Sequence, residues 1–387
     1  PSGSMVGSSL ICNEGTDATE SAAAKIAVLN IKGGTFTQYN FIAVKNSSNA
    51  ELNISGGVIN SKHSAVQNWC NANITGGELN GQLWTDAWDE TSTGKTVVSG
   101  DAKLNGEIVM DITGHIAPTL EIAVGSHNVT WKVTTAAANA GAKPQVSGGT
   151  FTTAVPEDYC ADGFIPTQNA DGTYGVKVGT YVAETGGVKY ESLEEAINAA
   201  TRGKTVTMLA DTRENVTISK NLILDLNGFT INGGQVKGKA TVMIDNARVT
   251  IMDSSAGQTG TIMREDTAEN SGDSSYYVID IQGKNGFLKF TGGNVKNDSG
   301  IVGVKGASLV RLGDDSVAGA YPTLTIYGGT FTQNNFVAIK VDRGTLHFVG
   351  GVITSANSYA VENWNNAYIK GGTVNGTVSS WVYSTGA

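Results

Sequence analysis

The chain of 387 residues carries 26 Lys and Arg against 35 Asp and Glu, which gives a formal net charge of −9 at pH 7. This charge excludes nucleic-acid binding, which needs a basic surface, and it disfavours an anionic membrane surface as a partner. Gly is frequent at 50 residues and Pro rare at 6, which excludes collagen and favours β-strands joined by glycine turns. No apolar run approaches the roughly 20 residues that span a bilayer, so we expect no membrane insertion.

The end of the chain repeats its beginning. Residues 31–81 and residues 326–376 both contain, in the same order, GGTFTQ, NF, GGVI, AV-x-NW, GG and NG. Gly33 and Gly328 are 295 residues apart (328 − 33). Repetition at a fixed period is the signature of a repeat architecture. We therefore predict a tandem array whose unit is close to 295 residues, and we expect the chain to be part of a longer protein.

Short alternating strands recur through residues 1–155 at intervals of about 22 residues, and many of them run into a Gly-Gly pair. The stretch LNISGGVI at 52–59 is one example. Two or three short strands in each coil, with a sharp glycine bend between them, are typical of a right-handed parallel β-helix. We predict this all-β solenoid fold and assign residues 1–155 to the C-terminal part of one module.

Two elements interrupt this pattern near the middle of the chain. Asp-Gly at 171–172 predicts a small β-hairpin tail near 158–178, and we assign residues 156–178 to this junction. Ser192 and Glu195 then form a capping-box pattern, which predicts a short amphipathic helix near 192–200 that caps the first coil of a new module. We assign residues 179–387 to this helix and the N-terminal part of the next module.

The runs YESLEEAINAA at 190–200 and LILDLNG at 222–228 resemble the start of pectate-lyase-like β-helix modules. Such modules occur in large repeat-containing surface proteins of gut Firmicutes. VSGGTF at 146–151 and the tail after it look like the end of such a module. The resemblance implies a location on the bacterial cell surface or in the secreted fraction. It also implies an adhesin-like function with a host ligand, since some proteins of this kind bind immunoglobulins.

Polysaccharide lyases and hydrolases share this fold, so an enzymatic function is the alternative to a binding function. The chain has no Arg-x-Lys motif and none of the carboxylate patterns of polysaccharide hydrolases or lyases, so we predict no catalytic residue, metal site or cofactor. Cys12 and Cys70 correspond to Arg311 and Asn365 in the second copy. A disulfide framework is therefore disfavoured, and we expect free, mostly buried thiols.

Tryptophans are the best candidates for ligand contact, because their rings suit binding hot spots and sugar stacking. Trp69 and Trp364 recur in the AV-x-NW motif, where packing at a turn competes with a binding role. Trp84 and Trp88 lie in a polar, loop-like stretch, and Trp381 lies in the corresponding part of the second copy.

We therefore expect a non-catalytic surface protein that binds a host glycoprotein, mucin or immunoglobulin and is monomeric within a longer chain. Two alternatives stay open. One is a carbohydrate-binding module or polysaccharide lyase or hydrolase of the β-helix group, and the other is a passive stalk.

Overall fold

The computed structural model describes residues 8–17, 23–88, 92–114, 116–234, 238–265, 277–298, 308–314, 319–333 and 336–381. The chain divides into two compact units, Pro1–Thr180 and Tyr181–Ala387. Both units are nearly all β, and each is described by itself.

The described part of the first unit contains short helical segments at Thr135–Asn139 (α1) and Glu157–Tyr159 (3-10) beside its strands. The strands are β1 (Ile11–Asn13), β2 (Ala27–Gln38), β3 (Val44–Asn46), β4 (Ala50–Asn68), β5 (Asn71–Ala87), β6 (Lys95–Val98), β7 (Lys103–Ile112), β8 (Thr119–Ile122), β9 (Ser126–Val133), β10 (Pro144–Val146), β11 (Thr150–Phe151), β12 (Phe164–Gln168) and β13 (Tyr174–Val178).

The described part of the second unit contains one α-helix, α2 (Leu193–Ala199), near its start. Its strands are β14 (Ala183–Thr185), β15 (Val188–Tyr190), β16 (Thr205–Met208), β17 (Val216–Ile218), β18 (Leu222–Asp225), β19 (Thr230–Asn232), β20 (Val242–Asp245), β21 (Arg248–Met252), β22 (Thr261–Glu265), β23 (Ile279–Gln282), β24 (Phe287–Phe290), β25 (Asn294–Asp298), β26 (Val310–Leu312), β27 (Thr323–Ile326), β28 (Thr330–Thr332), β29 (Ile339–Val341), β30 (Thr345–Phe348), β31 (Val352–Asn363), β32 (Asn366–Ile369) and β33 (Thr373–Ser380).

In the first unit, most strands pair in parallel with a strand that lies later in the chain. The main path runs β1-β3-β4-β5-β7-β9-β11, and β6, β8 and β10 form a second parallel path. One interior row joins Val44 to Val66, Leu83 and Ile108 in register. All four side chains are at most 2% exposed, so the apolar residues of successive strands stack into a continuous core.

The second unit has two long, largely parallel sheets, one following β16-β18-β21-β24-β27-β30-β32 and the other containing β17-β20-β23-β26-β29-β31. An interior row in the first sheet runs in register through Leu224, Ile251, Phe290, Ile326 and Phe348. None of these side chains is exposed. Long parallel sheets around a shared apolar interior make both units compatible with a β-helix-like solenoid.

The Gly-Gly pairs lie where successive strands approach each other backbone to backbone. Gly57 has φ +95°, and a Cβ atom there would lie 2.8 Å from the carbonyl oxygen of Gly34. Gly351 has φ +97°, and a Cβ atom there would lie 2.6 Å from the carbonyl oxygen of Gly329. Because L side chains resist positive φ and no space exists for a Cβ, glycine is needed at both copies of this bend.

A buried asparagine ladder crosses the first unit. The Nδ2 of Asn13 donates to Oδ1 of Asn46 at 2.8 Å, and the Nδ2 of Asn46 donates to Oδ1 of Asn68 at 2.8 Å. Asn68 in turn donates to the Thr96 hydroxyl at 2.9 Å. Asn46 and Asn68 are fully buried, so each amide satisfies its hydrogen-bonding groups through the next strand.

The predicted helix and hairpin are confirmed. Helix α2 begins after Ser192, whose hydroxyl accepts from the N–H of Glu195 at 3.2 Å. Glu214, far along the chain, also caps the helix, because its carboxylate accepts from the N–H of Leu193 at 2.9 Å and of Glu194 at 3.1 Å. Strands β12 and β13 form the antiparallel hairpin.

Candidate ligand-binding aromatic clusters

Trp69 and Trp88 form a stacked pair on the first unit, which we call the first tryptophan pair. Their ring centroids are 4.8 Å apart and their planes differ by 7°. Trp69 follows β4, and its N–H donates to the carbonyl oxygen of Asn46 at 2.8 Å. Trp88 follows β5 and is 47% exposed, whereas Trp69 is half-buried. The pair therefore presents aromatic surface to solvent.

Lys45 on β3 completes this cluster. Its Nζ lies 3.7 Å from the centroid of the Trp69 ring, within the range of a cation–π interaction. Sequence reasoning missed Lys45 as part of the site. A signal existed, since Lys340 occupies the corresponding position in the second copy (340 − 45 = 295).

The second unit carries a matching stack, the second tryptophan pair, formed by Trp364 and Trp381. Their centroids are 5.5 Å apart and their planes differ by 19°. Trp364 donates its N–H to the carbonyl oxygen of Val341 at 2.8 Å, as Trp69 does to the equivalent carbonyl of Asn46. Trp381 is 45% exposed. The same half-exposed stack is thus built twice.

The two pairs differ in their charged neighbours. Lys340 forms an ion pair with Asp342 at 3.0 Å. Glu362, beside Trp364, has a raised pKa because it is partly buried and is repelled by Asp342, which together outweigh the attraction of Lys340. Gln67 occupies the position of Glu362 in the first unit, so the first pair lacks this acid.

Trp84 belongs to a different aromatic group. Trp84 lies within β5 and not in the loop that the sequence suggested. Its neighbours Leu83 and Thr85 are buried, and because side chains alternate along a strand, the Trp84 side chain points away from the core. Its ring stacks on His63 with a centroid distance of 6.2 Å, and His63 stacks on Phe41 at 6.3 Å. The structure therefore pairs Trp88 with Trp69 and leaves Trp84 with His63.

A row of charged residues crosses one sheet of the second unit. Asp280, Arg311, Lys340 and Glu362 are successive partners in register on β23, β26, β29 and β31. The Nε and Nη2 of Arg311 donate to the two carboxylate oxygens of Asp280 at 3.0 and 2.7 Å.

The same guanidinium group is held from two further sides. Its Nη1 donates to Oδ2 of Asp314 at 3.0 Å, and it lies 4.4 Å from the centre of the Tyr277 ring. Hydrogen bonding to Asp280 and the attraction of the nearby acids raise the pKa of Arg311 although burial opposes this. These contacts lock Arg311 in an ion-pair network.

The described residues offer little else for redox or metal chemistry. Cys12, Cys70 and Cys160 are free, with Cys12 exposed and the other two buried. Burial raises the pKa of Cys160 to about 11, which disfavours the reactive thiolate. Within the ranges that the structure describes, no group of three or more His, Cys, Asp or Glu side chains is arranged to hold a metal ion.

Comparison with known proteins adds no relative. No protein-family model, no curated protein and no solved structure matches the chain. Among the described residues, no helix is both long and apolar enough to cross a membrane.

Proposed function

We propose that the chain is part of a bacterial surface protein built from right-handed parallel β-helix modules of the pectate-lyase-like kind. Each module binds a host ligand through its exposed tryptophan pair. The repeat of about 295 residues and the parallel sheets support the architecture. In this proposal the protein lies outside the cell, on the bacterial surface or secreted, and acts as a non-catalytic adhesin.

The observation that carries this proposal is the recurrence of the stacked pair in both units. Trp88 and Trp381 are 47% and 45% exposed, so these rings do not serve the core alone. Exposed large aromatic surface is energetically unfavourable in water and is typical of contact sites. A flat indole face suits either a sugar ring of a mucin or glycoprotein, or an apolar patch on an immunoglobulin.

Repetition explains how a small site can act. Each pair alone offers limited contact area, but modules linked in one chain raise the effective concentration of the second site once the first has bound. A weak contact at each module is then enough for adhesion to a surface that displays many copies of the ligand.

The test is retention of host molecules on the immobilised chain. Immunoglobulin, mucin and a glycan array are applied to the wild type, to Trp88→Ala and to Tyr39→Ala. Tyr39 is the matched control, because it is 67% exposed and has no stacked ring partner among the described residues. Retention by the wild type and by Y39A, with clearly weaker retention by W88A, supports the proposal, because W88A keeps the second tryptophan pair. Retention of nothing by the wild type favours a passive stalk.

A second candidate is a polysaccharide lyase or hydrolase, and the charged row favours it. Acids and bases on adjacent parallel strands could serve as general acid and base. The first unit has Cys12 and Gln67 where the second has Arg311 and Glu362, so the row is not a constant feature of the module. Release of reducing ends or unsaturated sugars from pectin or mucin, abolished by Glu362→Gln, would establish this alternative.

A further inference from the structure

The second unit contains a basic pocket of about 400 Å³. Its lining includes three cationic side chains, Arg202, Arg248 and Lys284, together with Asn221, Asn246 and Tyr321, and it includes no acidic residue. The chain carries a net charge of −9, so a pocket with three cations and no acid is not explained by composition.

The three cationic side chains of the pocket form no ion pairs within the described part of the chain. Within the described ranges, neither Arg202, Arg248 nor Lys284 has a carboxylate oxygen within the 4.0 Å of an ion pair. The guanidinium of Arg248 lies 4.2 Å from the centre of the Phe287 ring, a cation–π contact that does not neutralise its charge. The positive charge therefore remains available to a ligand.

The pocket is framed by the turns that precede β18, β21 and β24. The Oδ1 of Asn221 accepts from the N–H of Arg248 at 3.0 Å, and the Oδ1 of Asn246 accepts from the N–H of Asn285 at 2.9 Å. These backbone donors fix the orientation of both amides. Among the described residues the Nδ2 groups of Asn221 and Asn246 have no acceptor, so two fixed donors remain beside the cations.

Tyr321 supplies the remaining feature, an aromatic ring that is 54% exposed at the pocket. Amide donors suit hydroxyl oxygens, guanidinium and ammonium groups suit carboxylate or sulfate, and an exposed ring suits stacking against a sugar. We propose that this pocket binds an anionic saccharide, a short sugar chain that carries a carboxylate or a sulfate ester. This site is separate from the tryptophan pairs and does not depend on their function.

Binding is measured by titration calorimetry at low ionic strength with three defined probes. An oligogalacturonate carries carboxylates, a heparin-derived hexasaccharide carries mainly sulfates, and maltohexaose is neutral. We expect one or both acidic probes to bind, maltohexaose not to bind, and affinity to fall as salt is added. Which acidic probe binds identifies the anionic group. Equal binding of maltohexaose, or binding of none of the probes, would overturn the proposal.

Variants locate the site. Arg248→Gln and Lys284→Gln are each expected to weaken binding of the acidic probe about tenfold, because each removes a charge-assisted hydrogen bond. Lys296→Gln is the matched control, since Lys296 is exposed on β25, which belongs to the same sheet as β17 and β31, and does not line the pocket. Far-ultraviolet circular dichroism verifies that each variant is folded. Undiminished affinity in both folded pocket variants would refute the assignment, as would an equal loss in K296Q.

Discussion

Replacing Asn68 by alanine tests the buried asparagine ladder. The Asn68 Oδ1 accepts from Nδ2 of Asn46 at 2.8 Å and from the N–H of Cys70 at 3.2 Å. Its Nδ2 donates to the carbonyl oxygens of Cys70 and Lys95 and to the Thr96 hydroxyl. Because Asn68 is fully buried, water cannot replace these partners in the folded state.

The expected loss follows from the groups left without a partner. Alanine leaves one amide hydrogen of Asn46 and the N–H of Cys70 unsatisfied. A buried orphaned donor costs about 1–3 kcal/mol, so two of them should lower the free energy of unfolding of the first unit by about 2–6 kcal/mol. Urea unfolding followed by tryptophan emission measures this change. Four of the six tryptophans, Trp69, Trp84, Trp88 and Trp131, lie in the first unit and report on its unfolding.

Asn60 provides the matched control. It forms a second ladder, in which Asn60 accepts from Nδ2 of Asn80 at 2.9 Å and donates to the Thr37 hydroxyl at 3.2 Å. Asn60 is only half-buried, so solvent can replace these bonds, and Asn60→Ala should cost about 1 kcal/mol or less. Equal losses for the two variants, or a loss below about 1 kcal/mol for N68A, would refute the reasoning.

Three further changes have defined outcomes. Gly57→Ala should lower the free energy of unfolding by about 2–3 kcal/mol, because φ is positive and the new Cβ would meet the backbone of Gly34. Gly163→Ala is the control, since Gly163 also has positive φ but faces open space, and it should cost about 1 kcal/mol. Equal losses for the two variants would contradict this reasoning. Burial lowers the pKa of His127, so the stability that its neutral form contributes is present above the unfolded pKa near 6.5 and is lost as the pH falls through the folded pKa. His127→Gln should therefore flatten the pH dependence of the free energy of urea unfolding below about pH 6.5. An unchanged slope in this variant would contradict the argument. Glu214→Gln should lower the free energy of unfolding of the second unit by about 1 kcal/mol, because a charged cap at the α2 N-terminus becomes neutral. Thermal unfolding measures this change. An unchanged stability would show that Ser192 suffices as the cap.

Local signals made the helix and the hairpin predictable. Ser192 and the apolar face that follows it lie within one short segment, as does the Asp171-Gly172 turn. The positive φ of Gly57 follows equally from its Gly-Gly pair and the recurrence of that pair. The short helix α1 was missed, although Thr134 caps it through the N–H of Ala137 and an alanine run follows.

Contacts between distant strands could not be read from the sequence in the same way. The stack of Trp69 on Trp88 depends on where two turns fall in successive strands, and a shift of one residue would separate the rings. The cap that Glu214 provides to α2 is equally non-local. Asn46 and Asn68 do stand one repeat interval apart, but asparagine is ordinarily a surface residue, so their spacing alone did not indicate a buried ladder.

The arrangement of the basic pocket was also hidden. Its cations come from three separate places in the chain, with Arg202 before β16, Arg248 at the start of β21 and Lys284 before β24, and only the stacking of these strands brings them together. The segments 31–81 and 326–376, whose repetition revealed the Gly-Gly pairs, Trp69 and Trp364, do not include these residues. Repetition therefore indicated one ring of each tryptophan pair and gave no indication of the basic pocket.

The most direct test of the proposed binding function compares the affinity of four chains for the ligand retained from the host panel. These are the wild type, Trp88→Ala, Trp381→Ala and the double variant, measured by surface plasmon resonance with the ligand immobilised at high density. Loss of one tryptophan pair should weaken binding about tenfold or more, and loss of both should abolish it, because the proposed function makes each pair a binding hot spot and joins the two in one chain. Wild-type affinity in the folded double variant would show that the tryptophan pairs do not bind the ligand.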